Sequence, residues 1–134
     1  MAVQTFGRNQ TYTDLDLEFT RNRVTNDVDI LEGVDAIKAS IKNLIRMDFY
    51  DIPFKPSIGS PVRKLLFDNV TPITAIMIKD TITNTITNFE TRVNLISVIV
   101  EPHEDENRYK IMLICQALNN PEPVIITMFL ERVR

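Results

Sequence analysis

Three isoleucines, Ile78, Ile82 and Ile86, recur at every fourth residue, and Asp80, Asn84 and Asn88 fall midway between them. A strand carries all six on one face and mixes apolar with polar side chains. A helix sends the two sets to opposite sides, and Phe89 continues the apolar side three residues after Ile86. Ile and Thr abound in this segment and favour strands, yet the spacing outweighs that propensity. Its length of about 19 residues is also too great for an ordinary strand. Thr71-Pro72 supplies a start signal, a hydroxyl N-cap followed by proline at the first helical position. The spacing predicts a helix over 72–90.

The pattern then changes. Val93 to Val100 is nearly all apolar and β-branched and is bounded by Pro102, which predicts a strand covered on both faces. Tyr109, Ile111, Leu113, Cys115 and Ala117 alternate with Lys110, Met112, Ile114 and Gln116. Val124, Ile126, Met128 and Leu130 alternate with Ile125, Thr127 and Phe129. Polar turns at 103–107 and 119–123 join these runs, so the three strands form an antiparallel meander.

Upstream, Leu15, Leu17 and Phe19 alternate with Asp14, Asp16 and Glu18, and Val28 and Ile30 alternate with Asp27 and Asp29. These read as two short strands, a hairpin that must lie on something to be stable. Residues 1–11 read as an extended arm. After Gly33, the stripe Ile37, Ile41, Leu44, Ile45 predicts a helix over 34–47, with Asp35 and Arg46 suited to its dipole. Residues 48–61 hold three prolines and a glycine, which forbid regular structure, yet also Phe49, Tyr50, Ile52, Phe54 and Ile58. The expectation is a fixed loop whose rings pack on the core. Ser60-Pro61 then starts a short helix through Val62, Leu65 and Leu66 that ends near Asp68-Asn69. The whole reads as one α+β domain over 1–134: short N-terminal strands, about three helices and a C-terminal three-stranded meander.

Several function classes are poorly served by these residues. A net charge of −3 argues against nucleic-acid binding by bulk electrostatics. No apolar run approaches the roughly 18 residues of a membrane span, and the N-terminus lacks a secretory pattern. The expected location is therefore the cytoplasm, or something assembled there. Cys115 is the one cysteine and His103 the one histidine. The first sits mid-strand on an apolar face and the second in a polar turn, which suits an inert thiol and a solvated imidazole better than a nucleophilic pair. No His/Cys spacing matches a zinc site. Asp14, Asp16 and Glu18 share one strand face and Asp27 and Asp29 can oppose them, but the calcium-loop glycine is missing, which favours a solvated acidic face. Three glycines leave no phosphate-cradling loop, so no cofactor is expected. The spacing of Glu18 and Asp27 resembles the Glu…Asp part of phage-type lysozymes. Gly33 stands where those enzymes carry Thr, and no tryptophan is present to stack on sugars.

The joint Phe89-Glu90-Thr91-Arg92-Val93 places opposite charges where helix gives way to strand. Glu90 and Arg92 are the candidate interface residues. They either form a local ion pair, or pin the helix end to the first sheet strand, or reach a neighbouring subunit.

Four stretches carry a family resemblance. They are Asp14-Leu15-Asp16-Leu17 with Phe19, Asp35 to Ile41, Pro53 to Ser60 followed by Leu65-Leu66-Phe67, and the joint itself. In that order the chain resembles the small baseplate wedge proteins of contractile phage tails, a sheath-initiator family with type VI secretion counterparts and an old lysozyme-like label. The joint occupies the place of the family's Glu-Pro-Arg signature, with Thr91 where the proline stands. Tyr50-Asp51 stands where the family usually has Gly-Glu. The resemblance implies a non-enzymatic virion protein of the inner baseplate, assembled in the host cytoplasm. Its implied partners are other wedge proteins, the tail sheath, and tail tube or hub proteins, and neither nucleic acid nor membrane. It also implies that sheath polymerisation starts on its sheet by strand addition. The alternatives are a peptidoglycan-degrading lysozyme-like enzyme and a general interaction domain.

Overall fold

A computed structural model describes residues 12–16 and 18–133. The expected arm over 1–11, and Leu17, lie outside the described residues. The elements in chain order are β1 (Thr13–Leu15), β2 (Ile30–Glu32), α1 (Gly33–Arg46), α2 (Val62–Leu65), α3 (Pro72–Phe89), β3 (Val93–His103), β4 (Arg108–Ala117) and β5 (Pro123–Glu131). This is the α+β arrangement expected, with β1 and β2 as an antiparallel pair and β3-β4-β5 as an antiparallel meander.

The isoleucine spacing is realised in α3. Ile78, Ile82 and Ile86 are fully buried, and Thr71 caps the helix by accepting the Thr74 N–H at 3.2 Å. α1 turns Ile37, Ile41 and Ile45 toward the same core. Gly33 opens α1 with φ +59, a left-handed turn out of β2 that glycine adopts without strain. The inner face of the sheet completes the core with Tyr109, Ile111, Leu113 and Cys115 from β4 and Val124, Ile126, Met128 and Leu130 from β5. Cys115 is buried there, and burial, helped by the nearby charge of Glu90, pushes its thiol above the ordinary range.

The structure corrects four expectations. The hairpin strands are only three residues long, and the apolar side of the alternation, Leu15 and Ile30, is exposed. Tyr12, Asp14 and Leu31 turn toward the molecule instead. The strand stops early because the Asp16 carboxylate accepts the backbone N–H groups of Glu18 and Thr20, which makes a turn there. Its hydrogen bonding with Thr20 holds that carboxyl below its usual range. Second, α2 is a single turn, and Pro61 sits at its N-cap position rather than inside it.

Third, the rings of the 48–58 loop do not pack on the core. Tyr50 is 81% exposed and Phe54 102%. Both have left-handed backbones, φ +74 and +68, which turn the side chains outward. A bulky residue in that region costs roughly 1–2 kcal/mol. The loop is held by other means. The Tyr50 N–H donates to Pro56 O at 3.1 Å, and the Asp48 N–H to the Asp51 carboxylate at 2.8 Å. The backbone at Gly59 approaches that of Asp48 so closely that a Cβ would lie 2.7 Å from its carbonyl.

Fourth, β3 is covered on one face only. Its register with β4 shifts between Leu95 and Ser97, and Ile96 is 59% exposed, with Ile99 also open. The helices all lie on the inner side, so nothing among the described residues covers the outer face. β3 also runs through Pro102 to His103, because an edge strand tolerates a proline whose missing N–H faces outward.

The sheet has two outer edges among the described residues. Arg132 N donates to Asn107 O at 2.9 Å beyond the Arg108–Glu131 pair. Alternation along the strand then directs the N–H groups of Leu130, Met128 and Ile126 to β4, and those of Phe129, Thr127 and Ile125 to the free edge. The β5 edge is thus regular from Val124 to Glu131, whereas that of β3 is interrupted by its register shift and by Pro102.

Ile82→Ala empties a fully enclosed site and should cost about 2–5 kcal/mol. Ile76→Ala, on the exposed side of α3, should cost under about 0.5 kcal/mol. Urea unfolding of the two variants checks the difference.

Candidate functional site

α3 ends because Glu90 leaves helical geometry while its N–H still donates to Ile86 O at 2.9 Å. Two residues later the chain enters the sheet, where Arg92 O accepts the Leu118 N–H at 3.0 Å. The tight joint brings the two charged side chains together. Arg92 Nε donates to Glu90 Oε1 at 2.7 Å and Nη2 to Oε2 at 2.8 Å, a bidentate fork. Ser40, on α1, donates to Glu90 Oε2 at 2.8 Å and accepts from Arg92 Nη2 at 2.8 Å. The arrangement therefore links α1, the end of α3 and the start of β3.

Glu90 is 5% exposed. Burial pushes its carboxyl up, but the bonds from Arg92 and Ser40 and the Arg92 charge outweigh this, and the pKa lies below the ordinary value of 4.5. The Arg92 guanidinium is correspondingly held above its ordinary range by the Glu90 bond, against the opposing effect of burial, with Asp14 adding to the upward shift. It also sits 5.3 Å over the Tyr12 ring. The inward turn of Tyr12 and Asp14 follows from this, since a cation draws both a ring face and a carboxylate.

Both sequence-derived site residues are thus brought together, inside the fold. Ser40 and Tyr12 were not anticipated as partners. A signal for Ser40 existed: it lies three residues after Ile37 and four before Leu44, a hydroxyl within the apolar stripe. Beside the pair lies a hollow of about 260 Å³, lined in part by Asp14, Asn43, Met47 and Phe89. It is smaller than the about 300–1,000 Å³ of an ordinary ligand pocket.

The other candidates are not assembled. His103 pairs with Arg108 and Cys115 with Leu95, which separates the imidazole and thiol positions by about 23 Å along β4. His103 is half-buried rather than solvated, and its Nε2 has no hydrogen-bond partner. Among the described residues no group of three or more His, Cys, Asp or Glu is placed to hold a metal. The hairpin carboxylates bind backbone instead: Asp14 accepts from Leu15 N and Asp27 from Val28 N. Glu18 and Asp27 are both exposed, whereas glycoside hydrolysis needs one carboxyl enclosed so that it stays protonated.

Arg92→Ala leaves a buried carboxylate without its counter-charge and should cost about 3 kcal/mol or more at pH 7. Glu90 has a folded pKa below its unfolded value, so its contribution is full above about pH 4.5 and is lost as pH falls through the lower folded value. The stability gap between wild type and Arg92→Ala should therefore be widest near neutral pH and narrow below pH 4.5. Denaturant titrations from pH 3 to 7 measure it.

Comparisons with known proteins bear on the whole chain. The family model described as baseplate wedge protein gp25 matches residues 31–125, which include Ser40, Glu90 and Arg92. The baseplate wedge protein gp25 of Enterobacteria phage T4 is 28% identical over 116 residues, covering 87% of each chain. Several solved structures share the fold. A chain of the anti-feeding prophage baseplate has a TM-score of 0.63 at 17% identity, covering 92% of this chain and 88% of that one. A Geobacter sulfurreducens protein labelled a tail lysozyme has 0.59 at 20% identity, covering 71% and 88%. A chain of the pyocin R2 baseplate in its postcontracted form has 0.57 at 18% identity, covering 73% and 96%. With more than half its length matched by the family model, the chain belongs to the gp25 family of baseplate wedge proteins.

Proposed function

We propose that this chain is a non-enzymatic structural subunit of the inner baseplate of a contractile tail, and that sheath polymerisation begins on it by β-strand addition. The observation that carries the reading is the β5 edge. Eight consecutive residues from Val124 to Glu131 present a regular, proline-free edge, unpaired among the described residues, with Ile125 and Phe129 exposed along it. Such an edge accepts a further strand, with backbone bonds supplying affinity and side chains setting register. Family membership supports the baseplate setting, with other wedge proteins, the sheath, and tube or hub proteins as neighbours. Assembly takes place in the host cytoplasm and the finished location is the virion. The Glu90–Arg92 pair acts in this scheme as the brace that holds the sheet at a set angle to the helices, so that the edge meets its partner in register.

The lysozyme label on the Geobacter relative motivates a second reading. It requires that peptidoglycan be cleaved, and that Glu18→Gln abolish the cleavage.

Mass spectrometry of purified tail particles should find the chain in the baseplate, and its absence there would sink the proposal. Thr127→Pro removes an edge N–H while leaving the β4 bonds in place. It should yield folded protein and baseplates that carry little or no sheath, whereas Thr127→Val, which keeps the N–H, should assemble normally. Electron microscopy of the tails scores the result, and full-length sheath on Thr127→Pro baseplates would remove strand addition at β5.

A further inference from the structure

In the loop over residues 48–58 two large aromatic residues, Tyr50 and Phe54, both hold left-handed backbones and both face solvent. Phe19 is the other described aromatic that is both left-handed and exposed (φ +53, 70%), but residues 48–58 set two such rings in one loop. Nothing within the fold gains from either ring. The loop is nonetheless tightly constrained, by the Tyr50–Pro56 and Asp48–Asp51 bonds, by the Lys55 N–H donating to Ile52 O at 3.3 Å, and by the close backbone approach at Gly59. Prolines 53 and 56 stiffen it further. A rigid segment that spends backbone strain to aim rings outward is pre-organised for contact, because the ordering cost is met before binding.

The charges around the rings indicate what they meet. The Asp48 carboxylate is engaged by Arg63 at 3.4 Å and that of Asp51 by backbone. Lys55 and Lys64 are exposed, with no ion pair among the described residues. Within the loop Lys55, next to Phe54, is thus the one charged side chain without a hydrogen-bond or ion-pair partner among the described residues. We propose that Phe54, supported by Tyr50, is an anchor that inserts into a phenyl-sized apolar pocket of a neighbouring tail protein, with a carboxylate of that protein's pocket rim meeting Lys55. This rests on the structural-subunit reading and adds a second contact, separate from the β5 edge. An acidic lipid surface is disfavoured by the net charge of −3 and by the carboxylates within the loop.

Phe54→Ala removes the ring and keeps the Cβ and backbone demand, so its melting temperature should match wild type. Phe54→Gly also relieves the left-handed strain, so it should melt at or above wild type. Both should enter tail particles at least tenfold less than wild type in competition, since buried aromatic anchors dominate interface energetics. Stability and incorporation then move independently, which no structural role of the ring produces. Phe54→p-benzoylphenylalanine, irradiated in assembled tails, should cross-link to one segment of one neighbouring protein. Equal incorporation of wild type and Phe54→Ala would overturn the anchor and leave the subunit reading intact. Absence of wild type itself from tails would overturn both. Sedimentation with phosphatidylserine vesicles that is lost in Phe54→Ala would replace the protein pocket with a membrane and also overturn the proposal.

Discussion

One buried ion pair ties the two layers of this protein together where α3 gives way to β3. Glu90 and Arg92 are only two residues apart, but their fork closes on Ser40, fifty residues upstream on α1. Bringing a carboxylate out of water costs several kcal/mol, and attraction offsets that only when the geometry is good and the remaining lone pairs are used. Here both oxygens are used, and the charge left on the outer side of Arg92 meets a ring and a carboxylate from the N-terminal hairpin. Apolar residues of matching volume can seal a core as well or better. They do not fix the direction in which β3 leaves the helix.

That direction matters because the sheet is covered on one face only. β4 lies in the middle with its inner row wholly buried, and β3 and β5 flank it. A three-stranded sheet with open outer face and open edges is an incomplete object by the standards of an isolated domain. It is a natural surface for a subunit that is completed by neighbours. Membership of the baseplate wedge family, an outward-facing apolar row and a regular β5 edge all fit that description.

Where spacing alone determined the outcome, the fold was legible. The four-residue interval of Ile78, Ile82 and Ile86 overrode strand propensity, the Thr71 cap formed as the Thr-Pro pair implies, and the alternation read in β4 and β5 is matched by alternating burial. Two of the misreadings share a cause: composition tells that a side chain is present but not which way its backbone turns it. Tyr50 and Phe54 face outward because their φ angles are positive, and nothing in the loop's residue types announces that. The hairpin erred in the same way, since a cation from a distant segment drew in its polar side. Glu90 and Arg92 were visible as neighbours in sequence. Their third partner was marked only as a hydroxyl within the apolar stripe of α1, because tertiary packing alone brings that helix to the joint.

The β5 edge has a consequence for the life of the chain before assembly. Ile125-Ile126-Thr127-Met128-Phe129 is uncharged and rich in strand formers, and its outward N–H and C=O groups are as available to a second copy as to any other strand. Production in excess of its partners therefore invites edge-to-edge aggregation. Neither a charge nor a proline within those five residues blunts the edge, so protection against self-pairing depends on whatever covers the strand.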